Sequence, residues 1–309
     1  MKQISVLLVE DHTVVREGFR EMLERETDLK VVGEAQDGRR AVLLARTLRP
    51  AVVLMDIAMP LLNGLEATRQ ILKASPSIKV LVLTAHGDDS YIEGSIASGA
   101  VGFLLKQTTA RDVCRAIREV HNGKTFFGPS ISRRLARIKA RSPDRAGLPN
   151  RKAAQLSSRE LEVLQLIAEG KANKQTAAEL GIGLKTVEKH REHLAQKLDI
   201  HDTANLTRYA IAAGIIESSV QSTIAARAFS GLSRTAASPI TALTDREFEI
   251  FQLIGHGNDT HTIASQLNIS VKTVETHRVH LKVKLQLKNA TELVCYAARW
   301  TEARAAAPA

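Results

Sequence analysis

Cysteine and long apolar runs are what this chain of 309 residues most lacks, and each shortage excludes a class of protein. The two cysteines, Cys114 and Cys295, lie far apart in sequence. That spacing rules out a disulfide framework and a Cys-based zinc pattern, and makes a reducing cytoplasm the expected compartment. Aromatic residues are sparse too, at 4%. No apolar run approaches the roughly 18 to 20 residues of a membrane span, so no membrane partner is expected. The run from Ile4 to Val9 stops at Glu10-Asp11 and reads as a strand, not a signal peptide. What is present is a globular balance, 44% hydrophobic and 25% charged, which excludes wholesale disorder. The length suggests two or three domains.

The net charge of +10, from 43 Lys+Arg against 33 Asp+Glu, is unevenly spread. Residues 1–130 hold 17 basic and 16 acidic side chains. Residues 131–155 hold eight basic ones (Arg133, Arg134, Arg137, Lys139, Arg141, Arg145, Arg151 and Lys152) against Asp144 alone. Pro143, Gly147 and Pro149 break helices there, so the stretch reads as a linker. Such a linker is either a solvated tether or a set of phosphate contacts.

Up to about residue 121, five apolar runs (Ile4 to Val9, Val31 to Ala35, Ala51 to Asp56, Lys79 to Thr84, Val101 to Leu105) alternate with helix-length amphipathic stretches. That alternation predicts an α/β domain, a doubly wound parallel sheet of five strands with helices on both faces and its working residues at the strands' carboxyl ends. Those ends carry Glu10-Asp11, Asp56, Thr84 and Lys106. Any one of them fits a simple strand or helix cap. Together, clustered carboxylates repel unless a hard cation such as Mg2+ neutralises them, while a lysine and a hydroxyl suit phosphoryl oxygens.

The motifs V-E-D-H at Val9 to His12, M-D-I-A-M-P-L-L-N-G at Met55 to Gly64, Thr84-Ala85 and Lys106 make residues 1–121 resemble the receiver domain of two-component response regulators, a flavodoxin-like fold. The resemblance implies that Asp56 accepts a phosphoryl group from a sensor histidine kinase. It implies that Glu10, Asp11, Asp56 and the carbonyl of Ala58 hold Mg2+, that Lys106 contacts phosphate, and that Thr84 and Phe103 form a switch pair. Taken alone, Phe103 reads first as a core aromatic, and its position relative to Lys106 brings the switch reading level with that one. Gln107 follows the lysine where many receivers have proline, which removes the usual reason for a cis bond.

The remainder contains a gapless repeat at an offset of 87 residues, Leu156 to Leu243. Arg159-Glu160 recurs as Arg246-Glu247, Lys185-Thr186-Val187-Glu188 as Lys272-Thr273-Val274-Glu275, His190-Arg191 as His277-Arg278 and Lys197-Leu198 as Lys284-Leu285. Ser157 and Thr244, each with Glu three residues on, predict capping boxes. A second helix is expected to end near Gly181 or Asn268 and a longer one to begin near Leu184 or Val271. A helix, a tight turn and a helix with a polar, basic leading end suit a DNA major groove. The apolar stripes Val187, Leu194, Leu198 and Val274, Leu281, Leu285 read as core.

The strings L-S-S-R-E-L-E-V-L with K-T-V-E-K-H-R-E-H-L-A-Q-K-L, and L-T-D-R-E-F-E-I-F with V-K-T-V-E-T-H-R-V-H-L-K-V-K-L, resemble the LuxR-type helix-turn-helix. With the receiver, they make the chain similar to response regulators of the NarL/FixJ class. The implied DNA contacts are Lys174, Lys185, Thr186, Lys189, His190 and Arg191 in copy one, and Lys272, Thr273, Thr276, His277 and Arg278 in copy two. Final helices carrying Tyr209 and Tyr296 would serve packing and dimerisation. Copy one departs from the pattern at Thr176 and Gly183, copy two at Thr260-His261. The pairs His190/His193 and His277/His280 sit at a helical spacing open to metal, with no further ligand set repeated in both copies.

The expected layout is a receiver (1–121), a basic linker (122–155), a first all-α helix-turn-helix (156–216), a second linker (217–242), a second all-α copy (243–303) and a tail (304–309). The expected function is phosphorylation-controlled binding to double-stranded DNA by a transcriptional regulator, not an enzyme, that becomes a homodimer when phosphorylated. The alternative is a regulator whose helix-turn-helix copies dimerise or bind protein instead of DNA. A flexible second linker would let both copies reach one duplex.

Overall fold

In a computed structural model, residues 3–85, 89–128, 131, 133, 155–216 and 239–305 are described. They form two compact units, Met1–Ala154 with Ala213–Ile215, and Gln155–Ala212 with Ile216–Ala309. Within the first, β1 (Ile4–Val9), β2 (Leu29–Ala35), β3 (Val52–Met55), β4 (Lys79–Thr84), β5 (Gly102–Leu105) and β6 (Phe126–Phe127) make one sheet of order β2-β1-β3-β4-β5-β6. All five strand pairings are parallel. The helices are α1 (Thr13–Glu24), α2 (Gly38–Leu48), α3 (Gly64–Ala74), α4 (Asp89–Ala97) and α5 (Ala110–His121).

Alternate side chains of β1 explain why its sequence is an unbroken apolar run. Ile4, Val6 and Leu8 enter a core with Leu23 of α1 and Val113 and Ile117 of α5. Leu7 and Val9 enter a second core with Ala41 and Ala45 of α2 and Ala67 and Ile71 of α3. Both faces of the strand are therefore covered, as in a doubly wound sheet. The five expected strands are present. Phe126–Phe127, inside the stretch read as the start of the basic linker, instead pairs in parallel with Gly102 and Phe103 as a sixth.

The second unit is helical. Its first four helices are α6 (Ser158–Ala168), α7 (Asn173–Leu180), α8 (Leu184–Leu198) and α9 (Thr203–Ala212). After a 3-10 turn at Pro239–Ala242 come α10 (Asp245–Gly255), α11 (Thr260–Gln266), α12 (Val271–Lys284) and α13 (Ala290–Ala305). Each helix of the second set starts 87 residues after its counterpart: 158 to 245, 173 to 260, 184 to 271, 203 to 290. Both capping boxes form, with Ser157 N donating to Glu160 Oε2 at 2.7 Å and Thr244 N to Glu247 Oε2 at 2.8 Å. The turns after α7 and α11 use left-handed residues, Gly181 (φ 62) and Asn268 (φ 51), the residue types that tolerate that region.

Val187, Leu194 and Leu198 of α8 and Val274, Leu281 and Leu285 of α12 are buried, as their stripe implied. Phe251 centres the second core against Tyr296 and Trp300, with ring centroids 5.9 and 5.7 Å away. Among the described residues no helix is long and apolar enough to cross a membrane. The basic positions Arg134, Arg137, Lys139, Arg141, Arg145, Arg151 and Lys152, and the tether from 217 to 238, lie outside the described residues.

Candidate functional site

In this strand order the direction of build-up reverses at β1 and β3, so a crevice opens at their carboxyl ends. Asp56 N donates to Val9 O at 3.0 Å, which sets the two strand ends side by side. Glu10 and Asp56, both buried, leave those ends. Lys106, just past β5, reaches across: its Nζ lies 2.9 Å from Asp56 Oδ2 and 2.7 Å from Glu10 Oε2. Its backbone N–H donates to Thr84 O at 2.8 Å, fixing where the side chain starts. The other Asp56 oxygen accepts from Ile57 N at 2.8 Å.

The electrostatics follow from this packing. Burial pushes the Lys106 ammonium down, but the Asp56 and Glu10 charges push it further up, above the ordinary lysine range. Burial pushes Glu10 up, and the His12 hydrogen bond with the Lys106 charge outweighs it, so the carboxyl stays low. His12 Nδ1 is 3.2 Å from Glu10 Oε1 and 2.8 Å from Asp11 Oδ1. Its hydrogen bond to Glu10 raises it to about 9. Asp11 is raised, chiefly by burial.

The loop after β3 explains the glycine that closes its motif. Gly64 N donates to Ile57 O at 2.8 Å, and a Cβ at Gly64 would stand 1.9 Å from Asp56 O. Only glycine permits that approach. Asn63 then caps α3 by accepting from Glu66 N at 2.9 Å. Ala58 lies in this loop, two residues beyond Asp56. Thr84, the last residue of β4, is buried. Phe103 is fully buried among Ile57, Val82, Tyr91 and Ile92, which is the core-aromatic placement. The Lys106–Gln107 peptide is trans.

The donors suit a hard divalent cation, being carboxylate oxygens at one sheet edge. Donor atoms of Glu10, Asp11 and His12 lie within 4.8 Å of one another. Asp11 Oδ1 is buried and accepts no well-formed hydrogen bond, its neighbour being the His12 ring nitrogen. Asp56 joins this group through Lys106.

In the helical unit, Lys174, Lys185, Thr186, Lys189, Lys272 and Thr276 are exposed, while Thr273, His190, Arg191, His277 and Arg278 are half-buried. Arg191 Nη1 donates to Asn173 Oδ1 at 2.8 Å, joining the start of α7 to α8. Gly183 caps α8 without a side-chain bond, whereas Ser270 accepts from Thr273 N at 3.0 Å in α12. Glu247, His277 and His280 do converge within 4.8 Å in copy two. That carboxylate is already engaged by Lys284 and Thr244.

The final helices carrying Tyr209 and Tyr296, expected to serve packing and dimerisation, are where the two copies of one chain meet. Helices α9 and α13 pack against each other more extensively than any other helix pair among the described residues. Thr207 Oγ1 lies 3.4 Å from Cys295 Sγ, which donates to Ile167 O at 3.1 Å. Arg299 Nη2 donates to Ala168 O at 2.7 Å. The LuxR-type resemblance pointed to these two helices, but not to their pairing within one chain.

Comparison with known proteins agrees with these features. The response regulator receiver domain matches residues 6–118, and the luxR family of bacterial regulatory proteins matches residues 154–210 and again 241–297. The response regulator protein VraR of Staphylococcus aureus is 36% identical over 214 residues, 69% of this chain and 99% of the relative. A two-component response regulator of the LuxR family from Aurantimonas sp. SI85-9A1 is similar in structure at 31% identity, covering 45% of this chain and 99% of that one, with a TM-score of 0.43. RcsB from Salmonella enterica serovar Typhimurium, bound to promoter rprA in the presence of phosphomimetic BeF3-, is similar at 26% identity over 67% of this chain and 98% of that one, with a TM-score of 0.46. The chain therefore belongs to the response regulators that join a receiver domain to LuxR-type DNA-binding domains, and it carries two of the latter.

Proposed function

We propose that Asp56 takes a phosphoryl group from a sensor histidine kinase and that its phosphorylation controls DNA binding by the helical unit. The observation that carries this reading is Lys106 bridging Asp56 and Glu10 at adjoining strand ends. An Asp56 oxygen attacks phosphorus as the histidine N–P bond breaks, and Lys106 moves from Asp56 to a phosphoryl oxygen. Glu10, Asp11, Asp56 and the Ala58 carbonyl hold Mg2+, which when bound neutralises the crowded oxygens. Thr84 then turns toward the phosphoryl group and Phe103 repacks, shifting the face made by α4 and β5. The receiver of one phosphorylated chain pairs with that of another through this face. The protein works in the cytoplasm as a switch and not as a catalyst of turnover.

The domain limits given above frame this reading. Lys174, Lys185, Thr186, Lys189, His190 and Arg191 contact DNA in copy one, and Lys272, Thr273, Thr276, His277 and Arg278 in copy two. Pairing of the copies through α9 and α13 leaves Lys185, Lys189 and Lys272 exposed. Labelling with acetyl phosphate tests the receiver half. Wild type should label only with a divalent cation, and Asp56→Asn should not label. Undiminished labelling of that variant overturns the assignment.

A further inference from the structure

The contact between the two helix-turn-helix copies has the form of a two-fold axis. A Cβ at Gly170 would lie 2.9 Å from Glu292 Cγ, and one at Gly257 would lie 3.0 Å from Asn205 Nδ2. Gly257 is the repeat counterpart of Gly170, and Glu292 that of Asn205, each 87 residues on. Residue i of copy one thus touches residue j of copy two while j of copy one touches i of copy two, the signature of an isologous interface. Both glycines have left-handed backbones, φ 90 and 87. A Cβ at Gly170 would crowd the Glu292 backbone, and one at Gly257 would press on the ends of the Asn205 and Asp202 side chains.

The symmetry is one of backbone and not of side chains. Arg208 on α9 pairs with Glu302 on α13. The counterpart of Glu302 in copy one is Ile215, and the counterpart of Arg208 in copy two is Cys295. Arg299, which donates to the carbonyl closing α6, has Ala212 as its counterpart. A pair of two first copies would leave Arg208 without its carboxylate, and a pair of two second copies would have no Arg208. The interface is therefore matched for copy one against copy two. Both copies belong to one chain, so their pairing is intramolecular, which favours it over pairing between chains.

We propose that one chain is a ready-made DNA-binding dimer, in which α8 and α12 stand about a pseudo-two-fold axis and read an inverted-repeat duplex as a single unit. The proposal rests on the reading that these helices bind DNA. An object with a two-fold axis engages duplex DNA through both equivalent helices only when that axis coincides with a DNA dyad, and this demands inverted half-sites about one helical turn apart. The leading turns are identical at Lys185-Thr186-Val187-Glu188 and Lys272-Thr273-Val274-Glu275, and again at His190-Arg191 and His277-Arg278. The half-sites should therefore be near-identical, differing where Lys189 faces one and Thr276 the other.

Selection of the full chain, with no phosphoryl donor so that receivers stay unpaired, on a random duplex library, followed by native mass spectrometry of the selected complex, tests this. Inverted repeats bound by one chain per duplex are expected. Direct repeats, a lone half-site, or two chains on each inverted repeat would overturn the pairing and leave DNA binding intact, whereas no enriched duplex would remove the DNA reading together with it. A second measurement addresses the interface. Arg208→Glu should weaken binding to the selected duplex several-fold, and adding Glu302→Arg should restore it. Equal affinity of wild type and Arg208→Glu contradicts the proposal.

Discussion

Lys284 Nζ lies 2.6 Å from Glu247 Oε2, and this one contact ties the helix that would enter DNA to the capping box that starts its domain. The same clasp recurs in copy one, where Lys197 Nζ lies 2.7 Å from Glu160 Oε2. Each carboxylate is thus used twice, once to cap its own helix and once to orient another. Arg159 and Arg246 add a further tie in both copies, to the carbonyls of Leu180 and Leu267.

The clasp makes stability depend on pH. Burial raises Glu247, but hydrogen bonds from Lys284 and Thr244 outweigh it and hold the carboxyl at about 2 against an ordinary 4.5. Because the folded value lies below the unfolded one, the contribution is complete above about 4.5 and is lost as pH falls toward 2. Glu247→Gln should lower the melting temperature at pH 7, and the gap from wild type should close through that window. Thermal unfolding across pH measures it; a gap independent of pH contradicts it.

Thr176 is buried in copy one with an unpartnered hydroxyl, where copy two has Ile263. Thr176→Val keeps the shape and removes the stranded oxygen. It should stabilise the fold by about 1 kcal/mol. A raised denaturant midpoint at constant slope is the expected record, and an unchanged midpoint would show that the hydroxyl is satisfied.

Gly64→Ala should impair phosphorylation at Asp56 without touching a charged group. The added Cβ would fall 1.9 Å from Asp56 O, so the backbone carrying the acceptor must move. Slower labelling by acetyl phosphate, with circular dichroism unchanged, is expected; wild-type labelling would mean that the loop yields freely.

The exposed lysines of α8 should act on DNA through phosphates. Removing one cation from its phosphate takes about 0.9 from the slope of log affinity against log salt. Lys185→Ala with Lys189→Ala should flatten the slope, as should alanines at Arg133, Arg134, Arg137 and Lys139 in the basic linker. An identical slope for either set assigns those cations to solvation alone.

Local order made much of this molecule readable from sequence. Strands buried on both faces appear as unbroken apolar runs, so β1 and β4 were visible with their bounds, and the polar residues that end them pointed to Glu10, Asp56 and Lys106. The capping boxes at Ser157 and Thr244 were equally local. Phe126–Phe127 was not legible as a strand, because two residues carry no alternation and their pairing to β5 is a long-range event. The resemblance marked the final helices for packing and dimerisation, but that α9 meets α13 of the same chain was not legible, for the same reason. Thr207 and Cys295 are 88 positions apart, and neither has a side chain that announces a partner. A repeat reveals that two copies exist, but not the surface on which they join.

The central claim is that the state of Asp56 sets DNA binding. Affinity for a selected duplex, measured with and without acetyl phosphate and Mg2+ for wild type and Asp56→Asn, tests it most directly. The account predicts a change in affinity on phosphorylation of wild type and none for Asp56→Asn. The same change in the variant, or no change in wild type despite stoichiometric labelling, would contradict it.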